Sequence, residues 1–188
     1  MTRIAIFASG NGSNAQKIAE YFKDSSTVEI VLILSNKKEA YVLERANQLG
    51  IPSFVFTKSQ FNNTQDVLAE LKKYDVDFIV LAGFLLLIPE YLVEAYPEKM
   101  INIHPALLPN YGGKGMYGEK VHQAVCEAKE KETGITIHYV NNKYDEGKII
   151  FQAKVALNEG DTPEQVAEKV HRLEYEHYPK VIESVINN

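Results

Sequence analysis

Thiols are almost absent from the 188-residue chain, which has one cysteine, Cys126. That excludes an intrachain disulfide framework and any zinc site built from several thiolates. Positive charge is also in deficit: 20 Lys and Arg stand against 25 Asp and Glu, for a net charge of −5. A sequence-independent nucleic-acid binder carries the opposite balance. An anionic ligand gains nothing here from long-range steering and has to be held by local groups. Long apolar runs are missing too. The longest, Phe78 to Pro89, is interrupted by Gly83 and is too short to span a bilayer. The residues after Met1 show no signal-peptide pattern, so the expected location is cytoplasmic, in keeping with the lone thiol. His104, His122, His138, His171 and His177 include no H-x-H or H-E-x-x-H pair. His122 and Cys126 share a helical face, but two ligands do not make a site, and no metal is predicted. The absence of G-x-S-x-G and Walker motifs excludes serine-hydrolase and P-loop readings.

What is present suits one domain over residues 1–188, with 45% hydrophobic and 24% charged residues. Short runs rich in Val, Ile and Phe (Ile4–Ala8, Val28–Leu34, Phe54–Phe56, Phe78–Leu81) read as buried strands. Between them Ala15–Phe22, Tyr41–Leu49 and Asp66–Lys73 have helical spacing, and Gly50-Ile51-Pro52 stops the second of these. This order predicts an α/β fold: a Rossmann-like, mostly parallel sheet flanked by helices. Met100–Ile103 reads as a further strand and Tyr117–Ala128 as a helix. Ile135–Val140 and Lys148–Leu157 read as an antiparallel C-terminal hairpin. A long C-terminal helix opens at Thr162 as N-cap, with Pro163 at N1 and Gln165 completing a capping box. It extends to about Ile186, with a kink or break expected at Pro179.

Three constellations can carry chemistry. Ser9 to Ala15 (SGNGSNA) follows the first strand and opens the first helix. There backbone N–H groups form an anion site and glycines allow close approach, so that a Cβ at Gly12 would push a phosphate away. The string also fits a dinucleotide fingerprint. Ser35-Asn36-Lys37-Lys38 then supplies no acidic residue for a ribose, which argues against NAD and leaves NADP open. Asn102 and His104 share one face at the C-terminal end of a strand, where open α/β sheets hold ligands. Asn102 can donate to a developing oxyanion and His104 can trade protons near neutral pH. Asp145 lies in a turn and gains a role only if it folds back onto His104.

The strings IFASGNGSN, LSN, LAGF, INIHPALLP, GITIHYV, YDEGKIIFQAKV and LEYEHYP together resemble the phosphoribosylglycinamide formyltransferase family. The likeness runs from about Arg3 to Ile182 with one local insertion. These are the folate-dependent glycinamide ribonucleotide transformylases of purine synthesis. The resemblance implies transfer of a formyl group from the cosubstrate 10-formyltetrahydrofolate to the amine of glycinamide ribonucleotide, without a metal. It implies Asn102, His104 and Asp145 as the catalytic trio, with Asp145 raising the His104 pKa. It assigns Gly12, Ser13 and Asn14 to the phosphate, and the segment His171, Arg172, Leu173 and Glu174 to the ribonucleotide. Folate contacts fall on Leu85, Leu86, Leu87 and Ile88, on Asn102, and on the loop Asn141, Asn142, Lys143, Tyr144 and Asp145. The folate glutamate falls to Thr64, where relatives can carry Arg. Relatives also often have Arg at Leu86, and the glycine-rich stretch Asn110–Gly118 is longer than usual, with Lys114 as a substitute cation. The implied partners are small molecules, with neither nucleic acid nor membrane, and a homodimer stays open. No regulatory domain is expected before Met1 and no tRNA-binding domain after Asn188. Deformylation of the same folate, or an NADP-binding Rossmann reductase, remain the alternatives.

Overall fold

A computed structural model describes residues 1–187. In chain order the elements are β1 (Thr2–Phe7), α1 (Ser13–Phe22), β2 (Val28–Ser35), α2 (Val42–Leu49), β3 (Ser53–Val55), α3 (Lys58–Asn63), α4 (Asp66–Lys73), β4 (Phe78–Leu81), α5 (Glu90–Ala95), β5 (Met100–His104), α6 (Glu119–Glu127), β6 (Glu132–Tyr139), β7 (Ile149–Ala156) and α7 (Pro163–Asn187). The strands form one sheet in the order β3-β2-β1-β4-β5-β6-β7. Pairing is parallel from β3 through β5, and β6 and β7 add antiparallel.

Alternation along β1 sets the layers. Ile4 and Ile6 pack on one face with Ile18, Val80, Ile101 and Val170. Ala5 and Phe7 pack on the other with Leu32, Phe56, Phe61 and Ile79. Both faces are dry, as near-continuous apolar strands require. The chain order reverses between β1 and β4, so the loops leaving those two strands part and open a crevice at their C-terminal ends. Ser9 ties the rim together. Its Oγ donates to Asn36 Oδ1 at 2.6 Å and accepts from Leu85 N–H at 3.0 Å, linking the loops after β1, β2 and β4. No helix among the described residues is long and apolar enough to cross a membrane.

Two short helices escaped the sequence reading. α3 and α5 have six residues each and bury one side chain each, Phe61 and Leu92, too few to show a period. α3 does carry a capping box, in which Thr57 Oγ1 accepts from Gln60 N–H and Gln60 Oε1 accepts from Thr57 N–H. The expected box at Thr162 and Gln165 also forms. The break expected at Pro179 does not occur: α7 continues through it to Asn187. Tyr178 and Ile182, on either side, are fully buried, and their packing holds the helix across the missing N–H.

Tyr178 also pins α7 to the sheet. Its buried hydroxyl donates to the Leu81 carbonyl at 2.8 Å and lies 3.4 Å from that of Ile101. Tyr178→Phe leaves these carbonyls without their partner, and the expected loss is about 1–3 kcal/mol of unfolding free energy. Urea denaturation checks this. A midpoint equal to that of the wild type, at unchanged slope, would mean the bond contributes nothing.

Candidate active site

The crevice is a cleft of about 640 Å³. Its walls come from the loop after β1 (Ser9–Asn14), the loop after β4 (Ala82–Leu85), the end of β5 (Asn102–Pro105), the glycine-rich loop (Gly113–Gly118), the hairpin turn (Tyr144, Asp145) and the inner face of α7 (His171, Glu174). A smaller recess of about 50 Å³ adjoins it, with Leu86, Leu87, Ile88 and Val140 on its apolar side and His138, Asn141 and Lys143 on its polar side. The two share Phe84, Asn102, Tyr144 and Asp145, so they form one continuous site.

At the first wall α1 starts with no side-chain cap, leaving the N–H groups of its first turn facing the cleft. Arg45 of α2 braces this loop by donating to the Asn11 carbonyl at 2.8 Å and to Asn11 Oδ1 at 2.7 Å. Gly12 has φ 76°, a left-handed conformation. A Cβ there would lie 2.3 Å from Val42 Cγ2, so it would strike α2 rather than push a ligand away. That corrects the reason expected for this glycine.

The trio converges where β5 ends. His104 Nε2 lies 2.7 Å from the Tyr111 carbonyl, which only accepts, so Nε2 carries the hydrogen. Its Nδ1 faces Asp145 Oδ2 at 3.5 Å. The Gly113 N–H donates to the same carboxylate oxygen at 3.0 Å. His138 was missed by the sequence reading. Its Nδ1 lies 2.8 Å from the Tyr139 carbonyl and so carries a hydrogen, and its Nε2 lies 3.2 Å from Asn102 Nδ2. Asp145 Oδ1 is 3.6 Å from that Nε2. The signal that would have found His138 is strand register, since it pairs directly across from Asn102.

Burial pushes the His104 pKa down and outweighs the raising effects of Asp145 and of the Tyr111 carbonyl. The raising effect expected of Asp145 is present but does not prevail: removal from water costs the imidazolium more than one carboxylate at 3.5 Å returns. For Asp145 burial acts upward, but His138, His104 and the Gly113 N–H prevail and hold it below the usual carboxylate range.

Helical spacing sorts the α7 segment. His171 and Glu174 line the cleft, whereas Arg172 faces solvent and Leu173 packs on the core. Of the continuous segment that the resemblance implied, two residues line the cleft and two point away from it. Asn14 Nδ2 donates to Glu174 Oε2 at 2.8 Å, joining the loop after β1 to α7. Thr64 is exposed and lines neither cavity; its hydroxyl donates to the Gln60 carbonyl and accepts from Asp66 N–H. Asn142 lines neither cavity, and Lys114 lines the cleft.

The sequence matches the Formyl transferase family over residues 2–182. It is 44% identical to the chloroplastic phosphoribosylglycinamide formyltransferase of Arabidopsis thaliana, across 97% of this chain and 65% of that one. It is 38% identical to phosphoribosylglycinamide formyltransferase of Bacillus subtilis, across 99% of this chain and 95% of that one. The chain thus spans a little under two thirds of the plant protein and nearly all of the bacterial one. Among solved structures, phosphoribosylglycinamide formyltransferase from Anaplasma phagocytophilum superposes with a TM-score of 0.91 at 35% identity, covering all of this chain and 87% of that one.

Glu174 supplies a test of the electrostatics. Burial pushes its pKa from 4.5 to about 7, with the Asn14 hydrogen bond opposing. The native state therefore holds this proton more tightly than the unfolded chain. Its contribution is full below pH 4.5 and is lost as pH rises to about 7, a change of about 3 kcal/mol. Melting curves across that range should fall by several degrees more for the wild type than for Glu174→Gln. Parallel pH profiles would show that Glu174 ionises without penalty.

Proposed function

The chain belongs to the formyl transferase family, and from that premise we propose that it moves a formyl group from 10-formyltetrahydrofolate to the amine of glycinamide ribonucleotide, a step of purine biosynthesis. The observation that carries this reading is the continuity of the site. An uncapped helix N-terminus suited to phosphate lies at one end, the Asn102–His104–Asp145 group in the middle, and a recess with apolar and polar walls at the other end.

The residues fit both substrates. The first-turn N–H groups of α1, with Ser13 and Asn14, take the phosphate, and Glu174 and His171 take the sugar side. The recess between Leu86–Ile88 and the hairpin loop suits a flat heterocycle, whose folate supplies the activated formyl group. Asn102 Nδ2 uses one hydrogen on His138 and keeps the second for the formyl oxygen as negative charge develops there. His138, itself fixed by the Tyr139 carbonyl, is a positioning residue that sets the Asn102 amide. His104 starts neutral. When it takes up a proton from solvent at Nδ1, Asp145 Oδ2 is already in place to receive the new N–H. Its Nε2–H reaches the reacting oxygen once the Tyr111 end of the loop gives way. The attacking amine loses its proton and the folate nitrogen gains one, with His104 assisting that transfer. No covalent enzyme intermediate is needed. The lone thiol supports a cytoplasmic setting.

Mixing the protein with 10-formyltetrahydrofolate and following tetrahydrofolate absorbance tests the activity. Turnover should appear only when glycinamide ribonucleotide is added. Turnover without acceptor would indicate the deformylase, and no turnover with NADPH fluorescence quenching the reductase.

Asp145→Asn removes the charge that favours imidazolium. The expected result is a kcat lower by on the order of 10²–10⁴, with the His104 titration shifted further down and the ribonucleotide KM little changed. The double variant with His104→Ala should lose little more than the worse single one. Losses that multiply would show the two residues acting independently.

A further inference from the structure

We propose that His122 binds the acceptor: its imidazole hydrogen-bonds the amide that links the ribose to the reacting amine. The inference rests on the reading above and adds a residue to it.

His122 lies on the buried face of α6 between Val121 and Val125, is 3% exposed, and lines the cleft. Its Nδ1 is buried and has no hydrogen-bond partner. Among the described residues one other buried side-chain polar atom is left in that state, Asn14 Oδ1, and Asn14 lines the same cleft. Native interiors satisfy nearly all such atoms, so two orphans on one cleft point to a ligand that completes them. As a packing residue His122 makes little sense, because Leu or Phe between two valines would avoid the desolvation of a ring nitrogen.

Its position selects the part of the ligand. The His122 ring meets that of His171 edge-on, with centroids 6.3 Å apart, and His171 is on the helix assigned to the sugar side. His104 is also near enough for its charge to act on His122. A ligand with its phosphate on α1 and its amine at Asn102 therefore places its middle beside His122. The middle of glycinamide ribonucleotide is one amide, with one C=O and one N–H. Burial and the nearby His171 and His104 push the His122 pKa down to about 4, so at neutral pH the ring is uncharged. A neutral imidazole offers one donor and one acceptor, which matches one amide. Staying neutral also spares His104 a neighbouring cation when it takes up its own proton.

The test uses the full chain with two variants, His122→Phe, which keeps a ring and removes both polar atoms, and His122→Gln, which retains a donor and an acceptor. Steady-state rates and melting temperatures are read with and without glycinamide ribonucleotide. For His122→Phe the ribonucleotide KM should rise on the order of 10-fold. The folate KM should hold, the ribonucleotide-induced rise in Tm should shrink, and the Tm without ribonucleotide should equal or exceed that of the wild type. His122→Gln should recover part of the KM. If His122→Phe keeps the wild-type KM and Tm response, or if it melts lower and raises both KM values alike, His122 is a packing residue and the inference is overturned. A wild type with neither acceptor-dependent turnover nor a Tm response would instead overturn the activity itself, and this inference with it.

Discussion

The Asp145 carboxylate is the meeting point of three parts of the chain built separately. His104 comes from the end of β5, His138 from β6, and the Gly113 N–H from the glycine-rich loop, and all converge on its two oxygens. The hairpin holds it there by a tight fold-back. Asp145 itself has φ 54°, a left-handed conformation that Asp tolerates better than most residues. Two residues later, a Cβ on Gly147 would lie 1.6 Å from the Tyr139 carbonyl oxygen. Any larger residue at 147 would move the turn, and with it the carboxylate that, beside the Tyr111 carbonyl, favours the charged form of the buried imidazole.

The same burial that makes the site reactive makes it costly. Water is kept from His104 and Glu174, and both are pushed towards their neutral forms. Backbone dipoles then do what solvent would otherwise do: the Tyr111 carbonyl fixes one tautomer and the Gly113 N–H sustains a carboxylate charge. Below the chemistry, Thr136 Oγ1 donates to the Ala106 carbonyl at 2.7 Å and accepts from Leu108 N–H at 3.0 Å, anchoring the segment that leaves β5 to β6. The floor of the site is therefore as firmly held as the sheet.

Much of this was legible in the sequence, and the remainder had physical reasons to be hidden. α4 and β4 match their expected limits, because apolar spacing and flanking breakers mark both. The Asn102–His104 face followed from period-two alternation at a strand end. Asp145 was legible only through resemblance, since no local pattern says which turn residue folds back across a sheet. His138 depends on antiparallel register, which the chain does not spell out. Tyr111 and Gly113 act through main-chain atoms, for which any side chain would read the same. Thr64 is exposed at the junction of α3 and α4, where its hydroxyl serves both helix ends.

The Tyr178 hydroxyl ties α7 to the carbonyls ending β4 and crossing β5, so a helix made after every strand of the sheet supplies one wall of the cleft. Synthesis runs from the N-terminus. The uncapped start of α1 and the Asn102 edge leave the ribosome well before residues 163–187 follow. A nascent chain thus leaves the cleft open on one side until α7 is made. During that interval the apolar sheet face destined for Val166, Val170 and Ile182 lies bare, so the stretch of synthesis between β7 and α7 is one in which the growing chain needs protection from aggregation.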